Sequence, residues 1–162
     1  MTELVQPSAS HKSPARKNIL FVCLGNACRS PMAESIARHD GADVIEPYSA
    51  GLTPLGVVPD LTKKTLTANA HSCEELNSKP ITRELWDAAD LVINMSGIPK
   101  WRAFTDPSKV EDWDVQDPYG NDPALYQTIH EEIERRVGEL AERLRKSAPK
   151  PGENMTADER KK

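Results

Sequence analysis

Nothing in the 162 residues approaches the roughly 18 consecutive apolar positions that a membrane-spanning helix requires. The longest apolar run, Ile19 to Leu24, has the length of a strand. The stretch from Met1 to Lys17 is polar and lacks the apolar segment of a secretion signal, so a cytoplasmic location without membrane association is expected. An excess of positive charge is missing too: 21 basic against 25 acidic residues leave a net charge of -4, which gives no footprint for nucleic acid and leaves open only a local basic pocket. Cysteine is scarce. Cys23, Cys28 and Cys73 cannot all pair within one chain, and neither Cys-x-x-Cys nor a clustered Cys/His spacing suggests zinc. Reduced thiols, no metal and no cofactor are therefore expected. The four histidines, His11, His39, His71 and His130, stand apart in sequence and are assigned to surface or packing roles. Neither Gly-x4-Gly-Lys-Ser/Thr nor Gly-x-Gly-x-x-Gly is present, which removes the common nucleotide-binding loops.

What is present suits one domain. A chain near this length buries roughly two thirds of its unfolded surface, and 38% hydrophobic residues are enough for a core. Residues 1–17 and 147–162 carry Ser, Pro, Gly and charge without periodicity and are expected to be disordered, leaving 18–146 as the folded domain. Within it, β-branched runs at Ile19 to Cys23, Val44 to Ser49 and Leu91 to Met95, with a shorter one at Trp113 to Val115, alternate with helical patterns. That alternation predicts an α/β fold, a parallel sheet covered by helices. In the last helix Asp122 caps, Pro123 takes the first position, and Leu125, Ile129, Ile133, Val137, Leu140 and Leu144 recur every three or four residues.

The informative stretch is Val22-Cys23-Leu24-Gly25-Asn26-Ala27-Cys28-Arg29-Ser30-Pro31-Met32-Ala33-Glu34. A buried strand ends at Cys23, a loop follows, and Ser30-Pro31 opens a helix, which places the loop where open α/β sheets bind ligands. Backbone N–H groups of the tight Leu24 to Cys28 loop can converge as a nest, the helix terminus adds partial positive charge, and the planar fork of Arg29 matches two oxygens of a tetrahedral anion. The same field falls on Cys23 and favours its thiolate, a nucleophile beneath a bound phosphate; Ser30 can donate its hydroxyl to that sulfur. With ten arginines and eleven serines in the chain, a cysteine followed by Arg-Ser at this offset arises by chance with a probability of roughly 0.01. The bland reading is a core cysteine and a surface arginine.

These residues resemble the signature loop of the low-molecular-weight protein tyrosine phosphatases, and the resemblance extends from about Asn18 to Arg145. It is supported by Ser49-Ala50-Gly51, by Asp90 to Met95 and by Asp117-Pro118-Tyr119. It implies a three-layer domain with a four-stranded parallel sheet, a cysteinyl-phosphate intermediate and no metal. It also implies a phosphotyrosine-containing protein as substrate, with Cys23, Arg29, Ser30 and Asp117 catalytic. Leu24, Gly25, Asn26, Ala27, Cys28 and Tyr119 would bind the substrate, and Cys28 would form a reversible disulfide with Cys23; its alternative is a space-filling residue. Asp-Pro alone does not single out Asp117, since Asp106-Pro107 and Asp122-Pro123 also occur; strand order and the resemblance do, and a turn residue is the other reading. A monomer is the default.

The sequence departs from the phosphatase pattern in places. Gly120 follows Tyr119 where some relatives carry a second aromatic, and Leu52 to Val58 contains no Trp or Tyr. The segment from Ser49 to Val57 and the later Ser78-Lys79 look similar to arsenate reductases. Such enzymes relay oxidation through further cysteines. Ser96 stands where such relatives have one, and no cysteine follows Cys73, so reduction of arsenate would draw on an external thiol. A phosphate or phosphotyrosine sensor without turnover is the remaining class.

Overall fold

The alternation of side chains along the first strand decides how the layers form. The computed structural model describes residues 16–147. In it β1 (Lys17–Cys23) sends Ile19, Phe21 and Cys23 into one core and Leu20 and Val22 into another, all of them buried. A strand buried on both faces belongs at the centre of a sheet. It pairs in parallel with β2 (Ile45–Gly51) on one side and β3 (Leu91–Asn94) on the other, and β3 pairs in parallel with β4 (Val110–Asp112), giving the order β2-β1-β3-β4.

On the first face lie α1 (Arg29–Asp40), α2 (Asp60–Ala68) and the long α5 (Pro123–Ser147), which enclose Ile19, Phe21, Ile93 and Met95. On the second face the short α3 (Arg83–Ala88) and α4 (Lys100–Ala103), with the following Phe104, cover Leu20, Val22, Val92 and Val110 through Leu85, Trp86 and Phe104. The fold is thus the expected three-layer α/β domain with a four-stranded parallel sheet.

Helix α5 begins as its sequence dictates. The Leu125 amide donates to Asp122 Oδ1 at 3.1 Å, Pro123 occupies the first position, and Ile129, Ile133, Val137 and Leu140 are buried, with Leu125 and Leu144 packed at the margin. Tyr126 and His130 share the buried face. Among the described residues no helix is long and apolar enough to cross a membrane.

The fourth strand corrects the sequence reading: it is Val110–Asp112, not Trp113 to Val115. Trp113 and Val115 are buried, as their pattern suggested, but β3 ends at Asn94 opposite Asp112, so beyond a single bond from the Trp113 amide to Asn94 O there is no partner strand. Arg16 pairs with Glu46 at 3.0 Å, Lys17 opens β1 and Ser147 closes α5, against the disorder expected for them, whereas residues 1–15 and 148–162 lie outside the described residues.

Candidate active site

Three loops meet at the carboxyl ends of the strands, beside the point where the chain's path through the sheet reverses between β1 and β3. The loop from Leu24 to Cys28 follows β1. Its carbonyls are claimed from outside: Leu24 O accepts from Thr53 N at 2.8 Å, Gly25 O from Leu55 N and from Ser78 Oγ at 2.9 Å each, and Ala27 O from Thr62 Oγ1 at 2.8 Å. With the oxygens bound to the scaffold, the amides of Leu24, Gly25, Ala27 and Cys28 have no protein acceptor among the described residues. Such a ring of free donors at a helix terminus is an anion receptor.

Asn26 braces the loop. Its backbone is left-handed, φ 48°, a conformation asparagine tolerates better than most residues. Its amide group donates to Ser30 Oγ at 2.8 Å and Ser49 Oγ at 3.0 Å, and accepts from Lys79 N at 2.9 Å. Ser49 passes the chain on to Glu34 Oε1 at 2.5 Å, and Glu34 pairs with Arg38. The side chain of Asn26 is fully buried in this network and is not among the residues lining the pocket, so any contact it makes with a bound anion falls to its backbone N–H. Gly51, beside it at the end of β2, is obligatory: a Cβ there would lie 2.8 Å from Asn26 N and 2.9 Å from Leu24 O.

Cys23 is buried at the start of the loop. Its Sγ lies 3.1 Å from Ser30 Oγ and 3.4 Å from the Ser30 amide, the first donors at the terminus of α1. Arg29 is buried too. Its Nη1 donates to Met95 O at 2.5 Å and Val115 O at 3.2 Å, its Nη2 lies 3.4 Å from Asp117 Oδ2, and its Nε has no partner. A guanidinium anchored at one nitrogen, with a second turned to an exchangeable carboxylate and a third orphaned, is a fork awaiting two oxygens. Asp117 is half exposed and accepts from the Tyr119 amide at 3.0 Å.

The resulting pocket holds about 210 Å³ and is lined by Cys23, Leu24, Gly25, Ala27, Cys28, Arg29, Thr53, Leu55, Asp117 and Tyr119. Cys23, Arg29, Ser30, Asp117 and Tyr119, chosen from sequence, converge here. Thr53 and Leu55 were missed as walls, and Thr62, Ser78 and Lys79 as braces. The similarity of Ser49 to Val57 and of Ser78-Lys79 to arsenate reductases marked their segments, but not their roles; the signal for those is topological, since β2 runs beside β1 and its exit must flank the loop. Burial pushes the Cys28 thiol above its ordinary value, against hydrogen bonds with Thr62 and Tyr126, whose hydroxyl lies 3.6 Å away. Burial likewise depresses Lys79, although Glu34 opposes the effect.

The profile of the family described as "Low molecular weight phosphotyrosine protein phosphatase" matches residues 18–150. The chain belongs to that family. It is 33% identical over 129 residues to an arsenate reductase of Bacillus cereus, covering 78% of this chain and 96% of the relative. It is 34% identical over 148 residues to a protein-arginine-phosphatase of Bacillus subtilis, covering 80% and 97%. A solved arginine phosphatase from Geobacillus stearothermophilus superposes with a TM-score of 0.73 at 28% identity, covering 80% of this chain and 94% of that one. Membership of the family supports phosphatase activity.

Proposed function

We propose that this protein is a protein phosphatase that hydrolyses phosphotyrosine, and aryl phosphates generally, through a phosphorylated Cys23. The observation that carries the reading is the juxtaposition, in one pocket, of a sulfur under unpartnered amides and a carboxyl group across the mouth on the same arginine. In the first step the Cys23 thiolate attacks phosphorus, the ester P–O bond breaks, and Asp117 gives its proton to the departing phenolic oxygen. Arg29 and the loop amides meet the charge that grows on the equatorial oxygens. In the second step the Asp117 carboxylate takes a proton from water, the water oxygen attacks phosphorus, and the S–P bond breaks to restore the thiolate, which the Ser30 hydroxyl receives at 3.1 Å.

The walls favour an aryl ester. Leu24, Ala27 and Leu55 offer apolar surface, Tyr119 stands half exposed at the mouth, and among the described residues the one acidic side chain lining the pocket is Asp117, which the proton transfer already uses. A phosphorylated guanidinium, the substrate class named for two of the relatives, is the second reading on sequence similarity. Among the described residues the pocket offers it no carboxylate beyond Asp117 to receive its charge. Arsenate reduction would need an external thiol: Cys23 and Cys28 line the pocket, no cysteine follows Cys73 in the sequence, and Ser96 follows β3 in place of a further sulfur.

Parallel assays decide among these. Wild-type protein is expected to release phosphate from p-nitrophenyl phosphate and phosphotyrosine peptides, with vanadate inhibiting and Cys23→Ser inactive. Faster turnover of phosphoarginine peptides, or arsenate-dependent thiol oxidation without ester hydrolysis, overturns the tyrosine reading. Bound phosphotyrosine with no release of phosphate makes the protein a sensor.

The proposed redox role of Cys28 is supported by its place with Cys23 on the wall of one pocket, both thiols free. Peroxide converts Cys23 to a sulfenic acid, and the Cys28 thiol condenses with it to a disulfide, releasing water. Mass spectrometry after peroxide is expected to show a linked Cys23–Cys28 peptide and full recovery by dithiothreitol.

A further inference from the structure

A second cluster of chemistry-bearing side chains lies at the opposite end of α1, outside the pocket. His39 and Asp40 close that helix, and His71 comes from the segment after α2. His39 Nδ1 is 2.8 Å and His71 Nε2 is 3.5 Å from Asp40 Oδ1, and the three atoms lie within 4.8 Å of one another. A tetrahedral ion bound at about 2.0–2.1 Å has ligand atoms roughly 3.3 Å apart, within the spread seen here. We propose that His39, Asp40 and His71 bind a divalent transition-metal ion of the zinc class, with a fourth position open to water.

A separate observation supports it. His71 is buried, and its other ring nitrogen, Nδ1, lies 3.2 Å from Nε2 of the fully buried His130 on α5. That contact holds the ring with Nε2 toward Asp40: with Nε2 on the ion, the Nδ1–H donates to His130 Nε2, an imidazole standing where a carboxylate, carbonyl or water more often orients a metal-bound histidine, and His130 Nδ1 is left buried without a partner. At 3.5 Å the Nε2 to Oδ1 separation is at the edge of a hydrogen bond, the spacing of two ligands facing a shared cation. The carboxylate supplies negative charge, as do the last carbonyls of α1. Arg145 is the neighbouring cation, but its guanidinium is turned to Asp43 and to the Asp40 carbonyl, leaving the Asp40 carboxylate to the histidines. His39 is largely exposed, so the ion has a route in from solvent.

A bound ion would join the end of α1 to the segment after α2 and, through His130, to α5. It sits roughly 15 Å along the helix from Arg29, by the 1.5 Å rise per residue, and takes no part in phosphate chemistry.

Titration of the full-length protein with Zn2+ and Co2+ at neutral pH tests it, with dialysis for stoichiometry, absorption for the ligand set and thermal unfolding as a second readout. One equivalent is expected to bind and raise the unfolding temperature, and the cobalt form to show ligand-field bands without a thiolate charge-transfer band. His39→Ala, at an exposed position that puts folding at little risk, is expected to weaken binding about tenfold or more and abolish the thermal shift while leaving p-nitrophenyl phosphate hydrolysis unchanged. His71→Ala, with its fold checked by circular dichroism, should do the same to binding. Unchanged affinity in His39→Ala, a charge-transfer band that assigns the ion to Cys23 or Cys28, or no saturable binding overturns the proposal.

Discussion

At the residue scale, Asn26 carries more of the site than its place in a loop suggests. It holds Ser30, Ser49 and Lys79 with one amide group while sitting in a backbone conformation that alanine dislikes. Asn26→Ala is expected to lower stability by about 1–3 kcal/mol and kcat by at least about tenfold, checked by thermal unfolding and steady-state hydrolysis. A normal kcat would mean that the brace is dispensable. Gly51→Ala pushes a methyl group into the same loop backbone, and kcat is expected to fall more than Tm does. For Asp117→Asn the expected loss in kcat is about a hundredfold or more with esters of poorly acidic phenols, along with the basic limb of the rate profile, because thiolate and protonated carboxyl must coexist. A full alkaline limb in that variant would remove Asp117 from the role of proton donor. The motif residues Cys23, Arg29 and Ser30 were readable because they are neighbours in sequence. Thr53, Leu55 and Thr62 were not, since only strand adjacency and the docking of α2 bring them to the loop.

At the scale of elements, the edge of the sheet shows what local pattern leaves out. Trp113 and Val115 are buried in alternation like strand residues, yet pairing stops at Asp112 because β3 stops at Asn94. Burial pattern was legible, whereas the length of the neighbouring strand was not. β4 is instead tied to α5 through Glu111, which receives Arg143 at 2.7 Å and the Trp113 indole at 3.1 Å. Burial, the largest single influence, would raise the Glu111 carboxyl, but these two donors together with the charges of Arg143 and Lys100 hold the pKa below the ordinary value. A carboxyl depressed in the folded state stabilises above its unfolded pKa, and that contribution fades as the pH drops through the folded one. Glu111→Gln is therefore expected to cost no more than about 1 kcal/mol near neutrality, given the exposure of the pair, and less at pH 3. Urea titrations at both pH values check it, and an equal loss at each would assign the effect to packing.

For the whole molecule, the long α5 is the beam on which the first face rests. Ile133 is fully buried among residues of that core, and Ile133→Ala is expected to cost about 2–5 kcal/mol in chemical denaturation, with hydrolysis by the folded fraction largely retained. The layering and this helix were legible because β-branched runs and helical periodicity are local signals. The meeting of His39, Asp40 and His71 was invisible, as was the contact of His71 with His130 across 59 positions; isolated histidines look alike until the chain folds.

In the loop after β1 the carbonyls of Leu24, Gly25, Ala27 and Cys28 are engaged before any ligand arrives. A receptor assembled in advance draws no distinction between what enters and what leaves. Orthophosphate, the small product, fits the cradle as well as the transferring group does, so the enzyme should be throttled by its own output. Competitive inhibition by inorganic phosphate, with arsenate close behind, is the expected kinetic mark of that rigidity.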